Sequence, residues 1–310
     1  MRSTALFSSA ILLGSLFVAP CAAHPASGIV VAESGDVYVS DVERNIIWKV
    51  SRDGSLIAFA NGLHSHSIAM DHRGSIYAEH LRFVPENTTD RQWDRTLFQL
   101  VASGDRRTIL GPTLTRESFG GSPFACDASG GVISLGTRED HTRLFLRTDS
   151  SGASHPLHDP AGLRDQAAAV NIESIGGLCV EASGWIIATQ GMSVVRIDPT
   201  GVVHPLADLS DRKPPEGAMP TRVGALWGIA ADQAGGAYVA DWDARAVHHV
   251  KADGSSVLVT TSPAPWAPTG TAFHDDVLYV LEHGLEERRN LGPRVVVVRD
   301  GARRTLATVE

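Results

Sequence analysis

The chain alternates apolar and polar residues in short runs, as in "IIWKV" at 46–50 and "LFLRT" at 144–148. Clusters of Gly, Asp and Ser separate the runs. A period of two puts successive side chains on opposite faces of a strand, so each run predicts a β-strand with one buried face. The pattern also recurs on a larger scale. The segment "GIVVAESGDVYVSDVERNIIWKVSRDGSLIAFA" from Gly28 aligns without a gap on "GIAADQAGGAYVADWDARAVHHVKADGSSVLVT" from Gly228. The alignment matches Gly35 to Gly235, Tyr38 to Tyr238, Asp41 to Asp241 and Asp53-Gly54 to Asp253-Gly254. A third copy starts at Ser67, with Gly74, Tyr77 and His80 at the matched places, and others start at Pro123, Gly177 and Gly270.

Repetition at roughly 40 to 50 residues marks an architecture built from similar units. Each copy reads as four antiparallel strands, A to D, joined by Gly-bearing turns. Six copies predict an all-β fold, a six-bladed β-propeller whose ring closure protects most sheet edges. The blades are expected at about 27–62, 63–111, 122–160, 171–210, 225–262 and 267–310. The copies run in phase with the chain from its leader onward, so the ring is expected to close without exchanging a strand between its ends.

Blades such as "WGIAADQAGGAYVADWDARAVHHVKADG" resemble the NHL repeat, and the ring as a whole resembles the senescence marker protein/gluconolactonase group of six-bladed propellers. That resemblance covers nearly the whole chain after the leader. It implies architecture more than activity, because the group includes lactonases, esterase-like enzymes, lyases and pure binding modules. It also implies a divalent metal at the channel mouth, held by carboxylates and amides. The innermost ring of this chain departs from that set, with Ser27, Ser122 and Gly176 at the matched places, although Glu173 lies three residues before Gly176. A likeness to the zinc-binding peptidyl-hydroxyglycine lyases is confined to "HSIAMD" at His66.

Loop lengths say which face of the ring works. The A–B and C–D turns are short. The B–C connections of blades 2 and 6 carry "LRFVPENTTDRQWDR" and "HGLEERRNLGPR", and long D–A connections precede blades 3, 4 and 5. B–C and D–A loops emerge on one face of a propeller, and long loops on a rigid scaffold are where sites gather. Strand A starts on that face at Ser27, His66, Ser122, Gly176, Trp227 and Thr269; strand B ends there at Asp41, His80, Gly136, Gln190, Asp241 and Glu282.

Imidazoles and carboxylates therefore converge on the mouth. His66, Glu79, Glu173, Asp241 and Glu282 are the candidate ligands of a divalent metal, Zn²⁺ favouring nitrogen and Ca²⁺ oxygen. His80 and His283 are the candidate catalytic groups, able to activate water against an ester or lactone carbonyl. Trp227, Trp242 and Trp266, with Gln190, are the candidate ligand-binding wall. Competing structural roles are expected for Asp41 and Asp241, as caps of the B–C turn, for His72, as a solvated turn residue, and for Trp48 and Trp185, as core. No GxSxG elbow, phosphate loop or HExxH helix occurs.

Composition narrows the partners. The 310 residues are 43% hydrophobic and 20% charged, with a formal charge of -8. A nucleic-acid binder would show a basic face, so that class is excluded in favour of a small-molecule ligand or a protein partner. Residues 1–23, with Arg2, an apolar run and small residues near Cys21-Ala22-Ala23, read as a secretory signal peptide, placing the protein outside the cell or in the periplasm. Lipid anchoring at Cys21 is the rival, which Pro20 disfavours. Cys126 and Cys179 remain, on strand A of adjacent blades; they both face the shared blade interface, where a disulfide could form, or both face away from it. The function expected is metal-assisted hydrolysis of a small ester or lactone, the alternative being a non-catalytic binding propeller.

Overall fold

The computed structural model describes residues 25–84, 92–116, 123–137, 143–157, 175–212, 226–286 and 289–309. The proposed leader, Ser122 and Glu173 lie outside them. The chain forms six four-stranded antiparallel sheets, each in sequence order from the axis outward. Blade 1 is β1 (Ile29–Val31), β2 (Val37–Asp41), β3 (Ile46–Val50) and β4 (Leu56–Asn61). Blade 2 is β5 (Ile68–Met70), β6 (Ile76–Phe83), β7 (Gln92–Leu100) and β8 (Arg106–Arg116). Blade 3 is β9 (Phe124–Cys126), β10 (Val132–Thr137), β11 (Arg143–Thr148) and β12 (Ser154–Pro156). Blade 4 is β13 (Ile175–Val180), β14 (Ile186–Gln190), β15 (Ser193–Ile197) and β16 (Val203–Asp208). Blade 5 is β17 (Leu226–Ala231), β18 (Ala237–Asp241), β19 (Ala246–Val250) and β20 (Ser256–Thr261). Blade 6 is β21 (Trp266–His274), β22 (Val277–Glu286), β23 (Arg289–Arg299) and β24 (Ala302–Thr308).

The ring closes as the repeat predicts. The innermost strands pack on one another in order, and β21 packs back against β1. All four strands of blade 6 come from the end of the chain, so no strand is exchanged. Close approach at the axis needs residues without a side chain: a Cβ on Gly270 would sit 2.2 Å from the Ser27 carbonyl oxygen.

The alternation along each strand places its apolar residues between blades rather than in a single core. One cluster fills each interface. Ile47, Leu63 and Ile76 join blades 1 and 2; Tyr77 and Phe124 join blades 2 and 3; Phe145 and Ile186 join blades 3 and 4. Val194 and Leu226 join blades 4 and 5, Val247 and Val280 join blades 5 and 6, and Val295 and Val39 close blade 6 on blade 1. Burial of this apolar area is the main favourable term in the fold.

The cysteines answer to the same geometry. Cys126 packs in the cluster between blades 2 and 3, and Cys179 in that between blades 4 and 5. Both turn away from the interface their blades share, and both are free thiols. Burial pushes Cys179 up to about 12 and raises Cys126 as well, so neither is a ready nucleophile. Among the described residues no helix is long and apolar enough to cross a membrane.

Candidate functional site

The two B–C insertions begin as extensions of the sheet. In blade 2 the β6–β7 pairing continues to Phe83 opposite Trp93, and in blade 6 the β22–β23 pairing reaches Glu286 opposite Arg289. These ribbons stand above the ring on the loop-bearing face.

Blade 2 carries the densest chemistry. The connection from β4 to β5 brings His64 and His66 to the innermost strand. The His66 carbonyl accepts the backbone N–H groups of Ser27 and Gly28, each at 2.9 Å, which ties the segment to blade 1. The His66 side chain is fully buried. Its Nε2 lies 3.0 Å from Nε2 of His64, and the His64 ring stacks on Trp93 with centroids 5.9 Å apart. The backbone N–H of His64 donates to Nδ1 of His80 at 3.2 Å. The His64–His66 ring pair and the His80 ring are thus joined through the His64 backbone, with His64 and His80 half-buried.

The bond to Nδ1 has a chemical consequence. A neutral imidazole carries one proton, and a ring accepting at Nδ1 holds it on Nε2. Burial holds His80 below the usual histidine range, helped by the positive charges of Arg106 and Arg82. Neutral His80 is therefore a donor at Nε2. It can donate a hydrogen bond to a ligand oxygen, and with its lone pair engaged at Nδ1 it is not placed to be the water-activating base expected from the sequence.

The carboxylates have other partners. Glu79 is fully buried and accepts Nε of Arg95 at 3.0 Å. Burial raises its carboxyl pKa, with Arg95 pulling the other way. Glu282 is fully buried too. It accepts Nε of Arg294 at 2.6 Å, Nη2 of Arg303 at 2.7 and 2.8 Å, and the Ser262 hydroxyl. Asp241 accepts the Ala244 backbone N–H at 3.0 Å and lies 2.5 Å from Arg212. Asp41 accepts the Arg44 backbone N–H and Nε1 of Trp48, both at 3.1 Å. Both aspartates thus cap the B–C turn, and both add an ion pair with an arginine.

A metal at the mouth would need these oxygens free to converge. Glu79, Asp241 and Glu282 are instead neutralised by guanidinium groups, and among the described residues no three His, Cys, Asp or Glu side chains are placed to hold an ion. The donor set does not fit the divalent metal expected. His66, the remaining described candidate ligand, belongs to the histidine group.

The other candidates divide between the mouth and the core. His283 is buried beside Ala267. Burial pushes it down to about 4, against the pull of Asp41, so it is a neutral packing residue rather than a base in contact with water. Trp242 is buried and stacks on half-exposed Trp227, centroids 5.5 Å apart. Trp266 is half-buried, with the Arg294 guanidinium 4.0 Å over its ring. Only Trp227 and Trp266 of the expected indole wall offer surface. Gln190 lies on blade 4 in a depression of about 420 Å³ formed with Ser193 and Pro205. His72 is an exposed turn residue, as expected. Trp185 is not core: it is half-buried, with Arg196 stacked 4.4 Å over it. His64, absent from the sequence-based candidates, is the functional addition. Its signal was its spacing of two from His66, in a connection too short to carry a periodic pattern.

Comparison with solved structures decides the fold type. A streptogramin B lyase superposes with a TM-score of 0.54 at 14% identity, over 92% of this chain and 83% of that one. A gluconolactonase from Xanthomonas campestris gives 0.55 at 11%, over 84% of each chain. In fold, this is a gluconolactonase-like six-bladed propeller. The calcium-binding protein regucalcin from Agrobacterium tumefaciens agrees, with a TM-score of 0.56 at 14% identity over 85% of this chain and 83% of its own. No family model and no curated protein matches the sequence. At these identities the likeness carries the gluconolactonase-like architecture and leaves the chemistry to the residues.

Proposed function

We propose that the protein binds a small ligand at the mouth of the ring on its loop-bearing face and cleaves an ester or lactone bond in it by histidine acid–base chemistry. The observation that carries this reading is the bond from His64 N–H to Nδ1 of His80. It leaves the His80 proton on Nε2, on a ring joined through the His64 backbone to the His64–His66 pair. His64 and His66 share one hydrogen bond between two Nε2 atoms, so one ring donates and the other accepts. His64, the outer member, takes a proton from the attacking water and returns it to the leaving oxygen as the acyl–oxygen bond breaks. His66 accepts the hydrogen bond of the His64 ring and holds that ring in place. His80 donates to the carbonyl oxygen as negative charge develops there. The gluconolactonase among its structural neighbours supports a lactone substrate on this architecture. The reading also keeps the protein exported and free of nucleic acid, in line with its leader and its acidic charge.

Purified protein assayed against a panel of lactones and aryl esters is expected to turn over at least one of them. His80→Ala should lower kcat/KM by roughly 10² to 10³, the usual worth of one hydrogen-bond donor to a developing oxyanion. A conservative His80→Asn, which keeps an acceptor for the His64 N–H and an N–H donor, should retain more activity than the alanine variant. A panel without turnover, together with saturable binding of one of its members, would leave the propeller a binding module. Half-exposed Trp227, stacked on Trp242, is the feature that favours this second reading.

A further inference from the structure

We propose a second ligand site, for a small organic anion, on the opposite rim at the seam between blades 6 and 1. A cleft of about 680 Å³ opens there between the turns of blade 6 and the start of blade 1. It stands apart from the histidine group and does not depend on the function assigned to it.

The cleft exists because blade 6 breaks the repeat. In blades 1, 3, 4 and 5 a carboxylate in the A–B turn pairs with a basic residue on strand C. The pairs are Asp36–Lys49 at 2.8 Å, Asp127–Arg147 at 2.6 Å, Glu181–Arg196 at 2.7 Å and Asp232–His249 at 2.6 Å. The strand C residue always lies opposite the same strand B position, Tyr38, Ile133, Ile187 and Tyr238 in turn. In blade 6 that position is Tyr279, and its partner is Val297. The A–B turn is also cut to the two residues Asp275 and Asp276, both in the left-handed region at φ 50° and 57°. Both halves of the ion pair are thus gone, and an apolar floor of Val277, Tyr279 and Val297 replaces them.

Positive charge gathers around this floor. Arg304 stands opposite Val297 on β24, Arg299 ends β23, and Arg52 reaches over from the C–D turn of blade 1. None of the three has a hydrogen bond or salt bridge among the described residues, Asp36 being the carboxylate whose charge Arg52 feels, in a protein whose formal charge is -8. Asp275 and Asp300 also line the cleft; Asp275 is largely exposed and sits beside His274 at 3.3 Å. The anion's charged head takes the place of the missing turn carboxylate, held by Arg304, Arg299 and Arg52, and its body lies on Tyr279 and the two valines.

Titration with 1-anilinonaphthalene-8-sulfonate, an anion with an aromatic body, tests this through its fluorescence. N-phenyl-1-naphthylamine, which lacks the sulfonate, serves as the neutral comparison. The expected result is one saturable site that weakens with salt and prefers the anionic dye. Arg304→Glu and Arg52→Glu, both at exposed positions, should each weaken binding by about tenfold or more, the worth of one charged hydrogen bond. Val297→Arg should abolish binding by restoring the side chain of the other blades. Absence of binding, equal binding of the neutral dye, or unchanged affinity in whichever charge-reversal variant folds as wild type would each overturn the proposal.

Discussion

Glu282 shows how far a residue's partners decide what it can do. From the sequence it is an acidic group at the channel mouth. In the fold it is the centre of a buried cluster with Arg294, Arg303 and Ser262. Removing its charge leaves two guanidinium groups poorly compensated. Glu282→Gln should therefore destabilise the protein by roughly 3 kcal/mol in urea unfolding, the usual cost of breaking a buried pair from one side. A metal ligand would instead give a metal-dependent loss. The buried histidines make a second prediction. His283 and His248 are pushed down to about 4 in the folded protein, in each case mainly by burial. Their unfolded value is near 6.5, so between these limits the unfolded chain binds more protons than the native one. The stability they contribute is complete above about pH 6.5 and is lost as the pH falls toward 4. Unfolding free energies measured from pH 7 to pH 4 should fall along this limb. His283→Phe should make the limb shallower.

At the scale of elements, the strands were legible because each blade obeys a period of two between turn residues, and six copies repeat the signal. The ends of the strands were less so. The residues after His80 and before Arg95 read as loop, yet they pair as a ribbon from Leu81 to Phe83, since cross-strand pairing is not visible along one strand. The same blindness explains the carboxylates. Arg95 and Arg294 sit on strand C and Arg303 on strand D, while the acids they neutralise sit on strand B, and only the register brings them together. The histidine group was half legible: His66 and His80 stood out by alignment, and His64 did not, because it occupies a connection. Turns carry their own test. Gly104 has φ +85°, and a Cβ there would meet the Phe59 carbonyl oxygen of the neighbouring blade at 1.9 Å. Gly104→Ala should thus cost about 1 to 3 kcal/mol through left-handed strain and a forced shift between blades 1 and 2, read as a lower urea midpoint.

Over the whole molecule, the ring separates stability from function. Six interface clusters carry the fold, and the two rims are left to carry chemistry. One rim holds the imidazoles of blade 2; the other holds the cationic cleft where blade 6 departs from its siblings. A propeller tolerates this division because each blade is fixed by its neighbours, so loops and turns can change without disturbing the cores. The claim that the blade 2 histidines do acid–base work is tested most directly by the pH dependence of kcat/KM on the best lactone or ester, wild type beside His64→Ala. The account predicts an acidic limb in the wild type, set by a histidine that must lose its proton, and its disappearance in the variant with a rate loss of about 10² or more. An alanine variant that keeps both the wild-type rate and the wild-type limb would contradict it.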